Sequence, residues 1–262
     1  MPLNILFAAR PERWVTYETP LRQALDAAGI AAHLSTDIAP QDVDYIVYAP
    51  NSPLQDFTPY TRAKAVLNLW AGVENITNNQ TLKIPLARMV DLGLGALGAA
   101  VAETLVYLGF NVTGWSRSPK DIAGVTCLHG DAGHADALRS AEIAVLLLPN
   151  TPDTENTLNA ETLAQMPAGA CIINPGRGAL IDDDALLAAL DSGQIAHATL
   201  DVFRVEPLPA DHPYWAHPNV TVTPHIAAET RATTAAQAIV ENIRRGEAGE
   251  DFLHLVDRAK GY

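Results

Sequence analysis

Apolar runs alternate with amphipathic stretches along most of the chain, the pattern of strands feeding helices in a parallel α/β sheet. Residues 3–8 read as a first strand, and 45–49 and 66–70 as two further buried runs. Thr19-Pro20 reads as a helix start, with proline at the first helical position and Gly29 as the stop. Thr58-Pro59 predicts a short helix between the second and third runs. The third run ends in Ala71-Gly72-Val73, a small-residue turn whose backbone amides could face a ligand.

The pattern changes at Leu92. Gly93-Leu94-Gly95-Ala96-Leu97-Gly98 opens a helix expected to reach Leu108 and stop at Gly109. A strand over 112–115 follows, then Ser116-Arg117-Ser118-Pro119; further strands are expected at 143–148, 171–174, 198–202 and 221–223. Asp182 is placed to cap a helix with Leu186, Leu187 and Leu190 at its apolar positions and Gly193 at its end. A last helix is expected over 228–245.

A lone G-x-G-x-x-G is a weak sign, since a glycine turn before a helix can be plain packing. It gains weight when a strand precedes it, a helix follows, and a second strand ends about 20 residues on in a polar residue. Here that strand ends at Trp115-Ser116-Arg117. Sites for NAD carry Asp or Glu there to hold the ribose 2′-hydroxyl, whereas this chain has Ser116, Arg117, Ser118 and then Lys120. A carboxylate would repel a 2′-phosphate; a hydroxyl and two cations attract it. NADP(H) is therefore expected in preference to NAD(H), against the plainer alternative that Arg117 and Lys120 are solvated loop charges.

Three residues supply what hydride chemistry on a 2-oxoacid requires: Arg177, Glu206 and His225, each following or flanking an expected strand end. Arginine offers a planar two-pronged donor for a carboxylate and can polarise the adjacent ketone oxygen. Histidine can give a proton to a developing alkoxide near neutrality. A carboxylate on its far ring nitrogen would fix the tautomer and favour the imidazolium. Taken singly, each has a bland alternative: a surface arginine, a capping glutamate and a loop histidine.

Composition narrows the partners. A net charge of -13 argues against nucleic acid or an anionic membrane, whose phosphates need clustered Lys and Arg. With 262 residues, 48% of them hydrophobic, the chain has room for two domains. Residues 1–7 read as a strand rather than a signal peptide, no apolar run approaches membrane-spanning length, and Cys127 and Cys171 read as reduced thiols, so a cytoplasmic protein is expected. His129 and His134 are read in a glycine-rich loop, and His212 and His217 in a proline-rich one. Neither pair has helical ligand spacing with a third ligand, so no metal is expected.

These residues resemble the D-isomer-specific 2-hydroxyacid dehydrogenases, and within them the glyoxylate/hydroxypyruvate reductase A group. The resemblance rests on Asn68-Leu69-Trp70-Ala71-Gly72-Val73-Glu74, the glycine loop, Trp115-Ser116-Arg117-Ser118, and Leu148-Pro149-Asn150-Thr151-Pro152-Asp153-Thr154. It continues through the Arg177 and Glu206 motifs, Thr223-Pro224-His225, and the ending from Val256 to Tyr262. It implies two Rossmann-like α/β domains with parallel sheets. A flavodoxin-like substrate domain over 1–88 would be completed by 228–262, with an NADP-binding Rossmann domain over 89–227. It also implies roles. Arg177 would bind the substrate carboxylate and carbonyl, His225 would be the acid/base, and Glu206 its partner. Trp70 and the backbone of Ala71, Gly72 and Val73 would hold the 2-oxoacid, and Asp201 would meet the nicotinamide carboxamide. Leu148, Pro149 and Thr151 would line the cofactor site with Gly93, Gly95, Ala96, Leu97, Gly98, Trp115, Ser116, Arg117, Ser118 and Lys120.

One departure stands out. The resemblance implies several dozen residues before the glycine loop: an interdomain helix, a dimerisation arm, and the first strand of the cofactor domain. Here Ile84-Pro85-Leu86-Ala87-Arg88-Met89-Val90-Asp91 runs straight into Leu92-Gly93, and Arg88 and Asp91 make poor central-strand sequence. An omitted segment, an engineered deletion and a natural truncation remain open, the first being favoured. Cα spacing from Met89 to Gly93 far above the usual 3.80 Å or so would reveal an omission. A homodimer is expected if the arm exists. An NADPH-dependent reductase of glyoxylate and hydroxypyruvate is the leading expectation, and a cofactor-binding homologue without turnover its rival.

Overall fold

The computed structural model describes residues 2–70, 72–89, 97–227 and 230–258. Ala71, Gly93, Gly95, Ala96 and the Cα spacing from Met89 to Gly93 lie outside them. The chain divides into two compact units, Met1–Asp91 with Thr230–Tyr262, and Leu92–Glu229.

In the first unit β1 (Leu3–Ala8), α1 (Pro11–Ala27), β2 (Ala32–Ser35), β3 (Tyr45–Tyr48), β4 (Ala65–Asn68), α2 (Glu74–Thr77) and β5 (Leu86–Ala87) follow one another. The strands are all parallel, in the order β2-β1-β3-β4-β5, the flavodoxin-like winding. β3 and β4 are buried along their whole length because both faces are covered. Tyr17, Leu21 and Leu25 of α1 pack on one face with Ala235, Ala236, Ile239 and Ile243 of α7 (Ala232–Ala248). Phe57, Val73, Ile76 and Leu82 fill the other. The guanidinium of Arg258 donates to the carbonyl oxygens of Thr77, Asn79 and Leu82, fixing the segment that follows α2.

Two expected helix starts are corrected here. α1 begins at Pro11, not Thr19, and Pro20 lies inside it. The buried stripe at 17, 21 and 25 anchors the helix on the core, so tertiary packing offsets the lost backbone donor. No helix follows Thr58-Pro59. Asp56 Oδ1 accepts the Thr58 amide at 2.9 Å, and this local bond makes a turn instead.

The second unit holds α3 (Leu97–Tyr107), β6 (Val112–Ser116), β7 (Val125–His129), α4 (Gly130–Ser140), β8 (Ile143–Val145) and α5 (Ala160–Gln165). β9 (Ala170–Asn174), α6 (Asp183–Asp191), β10 (Ile195–Leu200) and β11 (Val220–Val222) complete it. α3 ends before Gly109, which has φ +88°, and Asp182 caps α6 by accepting the Ala185 amide at 3.0 Å. The sequence pattern misses β7, α4 and α5. His129 ends β7 and His134 lies within α4, so neither is the loop residue expected. Only Gly133 and Leu138 of α4 are buried, too few to show a helical stripe.

Among the described residues the parallel strands form a four-stranded sheet, β11-β10-β9-β8, and a pair, β6-β7. In a doubly wound sheet of order 3-2-1-4-5-6, the strand leading into the glycine loop lies between these two pieces. Residues 90–96, which lead into that loop here, lie outside the described residues. Leu163, Ile172, Leu186, Leu190 and Ala198 fill the core on one side of the four-stranded sheet. On the other side Ile143, Val145 and Ile173 are 53%, 37% and 37% exposed, so no described element covers them fully.

Candidate active site

Within the second unit, β9 ends at Asn174, whose buried amide shapes the turn that follows. Its Nδ2 donates to Arg177 O at 3.0 Å and its Oδ1 accepts the Gly176 amide at 3.1 Å. A Cβ at Gly176 would lie 2.7 Å from the Leu146 carbonyl oxygen, so only glycine fits this turn. Arg177 then stands in extended backbone before the 3-10 turn Gly178–Leu180, with Nη1 donating to Gly176 O at 2.8 Å.

The neighbouring strand ends one residue before Asp201, which is buried and organises the turn carrying His225. Oδ1 accepts the Thr223 hydroxyl at 2.5 Å and the Ile226 amide at 2.9 Å, and Oδ2 accepts the Ala227 amide at 2.8 Å. The backbone carbonyl of Asp201 accepts the His225 amide at 2.8 Å, and His225 sits at φ +52°. A non-glycine residue in the left-handed region is held there by its surroundings. Burial alone would raise the Asp201 pKa; the three bonds and the charge of His225 outweigh it and hold the carboxylate low.

Glu206 bends back on its own loop, Oε1 accepting the Phe203 amide at 3.0 Å, while Oε2 pairs with His225 Nδ1 at 2.8 Å. That bond raises the His225 pKa above its ordinary value. Burial and the Arg177 charge oppose it, and the Glu206 and Asp201 charges add to it. Burial pushes Glu206 upward, but its bonds to His225 and Phe203, with the His225 and Arg177 charges, hold it low overall. The charge of Arg177 is thus felt at both members of the pair. With Nδ1–H engaged by the carboxylate, Nε2 is the ring atom left to exchange a proton with a substrate.

At the end of β6 the Ser116 hydroxyl donates to Ser118 O at 2.7 Å, and Arg117, Ser118 and Lys120 are exposed. No residue from 115 to 120 is acidic, a donor set that suits a 2′-phosphate. The Trp115 indole donates to Gly130 O at 2.8 Å and meets the His134 ring edge-on at 4.8 Å, tying the strand end to α4. Gly98 is buried in the first turn of α3. Leu148 and Pro149 are half-buried and lead into a knot in which Thr154 Oγ1 bonds Pro149 O at 2.6 Å and takes the Thr151 amide at 2.9 Å. Among the described residues no group of three His, Cys, Asp or Glu could hold a metal.

In the first unit the buried Asn68 donates to the carbonyl oxygens of Trp70 and Gly72, at 2.6 and 3.1 Å. Val73 is buried and its carbonyl oxygen accepts the amides of Ile76 and Thr77, starting α2. Sequence reasoning misses Asn68, Asn174 and Gly178 as builders of these turns. The signal available was an Asn closing an apolar run just before a small-residue turn.

A profile of the D-isomer specific 2-hydroxyacid dehydrogenase NAD binding domain matches residues 65–227. The chain belongs to the D-isomer-specific 2-hydroxyacid dehydrogenase family. Within it, similarity is to proteins named glyoxylate/hydroxypyruvate reductase A. That of Yersinia enterocolitica is 47% identical and that of Serratia proteamaculans 49%, each over 171 residues, 65% of this chain and 55% of the relative. The chain thus spans about half the length of the curated relatives it matches. A 2-hydroxyacid dehydrogenase from Xanthobacter autotrophicus Py2, solved with NADPH and MES, superposes with TM-score 0.90 at 36% identity over the whole of both chains. An NADPH-dependent glyoxylate/hydroxypyruvate reductase from Sinorhizobium meliloti, solved with NADP and sulfate, gives 0.83 at 29%, covering 100% of this chain and 99% of its own.

Proposed function

We propose that this protein reduces small 2-oxoacids, of the glyoxylate and hydroxypyruvate kind, to 2-hydroxyacids with NADPH. The observation that carries the reading is the Glu206–His225 pair, 2.8 Å apart and under the charge of Arg177. Arg177 binds the carboxylate and polarises the ketone oxygen, and protonated His225 gives that oxygen its proton. Glu206 holds the imidazole in the tautomer that leaves Nε2 for the substrate. Trp70 and the backbone at 71–73 are the oxoacid-binding residues of a substrate domain of 1–88 with 228–262.

The cofactor domain is 89–227. The glycine loop from Gly93 to Gly98, with Trp115, Leu148, Pro149, Thr151 and Asp201, holds the dinucleotide, and Ser116, Arg117, Ser118 and Lys120 prefer its 2′-phosphate. When bound, NADPH supplies the hydride. Structural relatives solved with NADPH and with NADP support this choice of cofactor. No described helix is long and apolar enough to cross a membrane. A cytoplasmic protein without a nucleic-acid partner, and a homodimer if the arm is present, is part of the same proposal.

The alternative is cofactor binding without turnover. NADPH oxidation by purified protein with glyoxylate separates the two. Turnover supports the first; tight NADPH binding without turnover supports the second.

A further inference from the structure

Arg204 takes no part in the chemistry above, yet its side chain joins three stretches of the second unit. Nε donates to Ile181 O at 2.9 Å, and Nη2 donates to Ala179 O at 3.2 Å, to Ile181 O and to Asn156 Oδ1. Nη1 reaches the Glu155 carboxylate at 3.3 Å. Asp183, 4.0 Å from Nε, is also shared with the Tyr214 hydroxyl and His212. The 179–181 segment begins two residues after Arg177, and Arg204 itself lies two residues before Glu206. The backbones meet as well, since a Cβ on Gly178 would overlap the Phe203 carbonyl and the Arg204 nitrogen.

We propose that Arg204 is a positioning residue, tying the Arg177 turn and the 155–156 segment to the Glu206 loop and so setting Arg177 against the Glu206–His225 pair. A planar fork of five donors matches two carbonyls, an amide oxygen and a carboxylate at fixed angles. A lysine ammonium is a single point charge and can keep only part of this set. If the tie is lost, the Glu206 loop is free to drift from His225 while Arg177 moves independently. Glu206, Arg177 and Asp201 are the charged groups acting on His225, so its titration reports the arrangement directly.

The kinetic arm of the test rests on the reductase reading; the titration arm does not. Arg204→Ala, Arg204→Lys and Asn156→Gly are compared with the intact protein. The glycine keeps the positive φ of residue 156 while removing its amide oxygen. His225 is followed by imidazole NMR, and NADPH oxidation is measured with glyoxylate. In Arg204→Ala the His225 pKa is expected to fall toward 6.5, with kcat/KM for glyoxylate down about a hundredfold and NADPH affinity unchanged. Arg204→Lys should lie between, and Asn156→Gly should shift less in the same direction. A folded Arg204→Ala protein with unaltered His225 titration and kcat/KM overturns the proposal. If Arg204→Ala does not fold, unaltered titrations in the other two variants overturn it equally. If the intact protein turns over no oxoacid, the reductase reading fails and the titration alone decides the role of Arg204.

Discussion

Replacing Glu206 with glutamine keeps the side chain's shape and removes the charge that holds His225. Glu206 Oε2 lies 2.8 Å from Nδ1, and this bond is the largest influence raising the imidazole pKa. The two side chains are 49% and 37% exposed, so solvent screening reduces the pair to about 1 kcal/mol, below a fully buried charged hydrogen bond. Loss of this stabilisation should lower the His225 pKa. On the proposed reductase reading, reduction uses the imidazolium, so its rate should decline as pH rises through the His225 value, and in the variant that decline should begin lower. The reverse reaction uses the neutral ring and extends further toward acid. The stability link has two edges. The His225 contribution is complete below its unfolded value of 6.5 and is lost as pH rises through the raised folded one. The Glu206 contribution is complete above 4.5 and is lost as pH falls through the lowered one. Glu206→Gln should therefore cost most stability between those pH values. Imidazole NMR titration with the pH dependence of NADPH oxidation measures the effect. A folded variant whose His225 pKa is unchanged or higher would refute the reasoning.

His225→Ala should lower turnover by about a hundredfold or more while leaving NADPH affinity intact, read from steady-state rates and fluorescence titration; unchanged turnover removes His225 from the acid/base role. Ser116→Asp with Arg117→Ala should move preference from NADPH toward NADH by about tenfold, roughly 1.4 kcal/mol, through added repulsion and lost attraction. Equal use of both cofactors by the unaltered protein would show the Ser116–Lys120 charges to be ordinary surface ones. Gly178→Ala forces a Cβ into the Phe203–Arg204 backbone and should cost about 1–3 kcal/mol in denaturant unfolding. A neutral effect there would mean the two loops are not in fixed contact.

The parallel α/β winding was readable because strands buried on both faces are apolar throughout, as in β3 and β4. The stops at Gly29, Gly109 and Gly193 were readable because each takes a positive φ that glycine alone adopts freely. The start of α1 was not, since Pro20 imitates a helix beginning and only the packing of Tyr17 and Leu21 shows that the helix is already under way. At the candidate site the chemically distinctive residues stand out by type: Arg177, Glu206 and His225. Their supports do not. Asp201 and Arg204 act across 20 or more residues through bonds that no local pattern announces, such as Asp201 to Ala227 at 2.8 Å and Arg204 to Ile181 at 2.9 Å, and Gly178 matters through its close approach to the Phe203–Arg204 backbone.

The same bonds separate two questions that the junction at Asp91 and Leu92 would otherwise merge. A dinucleotide site needs the glycine loop, and the strand that normally leads into it belongs between β6 and β8. The turn of His225 is built from β10, β11, Asp201 and the 203–206 loop, and Arg177 hangs from the end of β9. None of these described bonds passes through the junction. The groups that raise the His225 pKa, Glu206 and Asp201, both lie in the 174–227 segment. Weak NADPH binding with His225 still titrating high would place the defect at the junction. Both failing together would instead mean that the turns carrying Arg177 and His225 also depend on the residues at the junction.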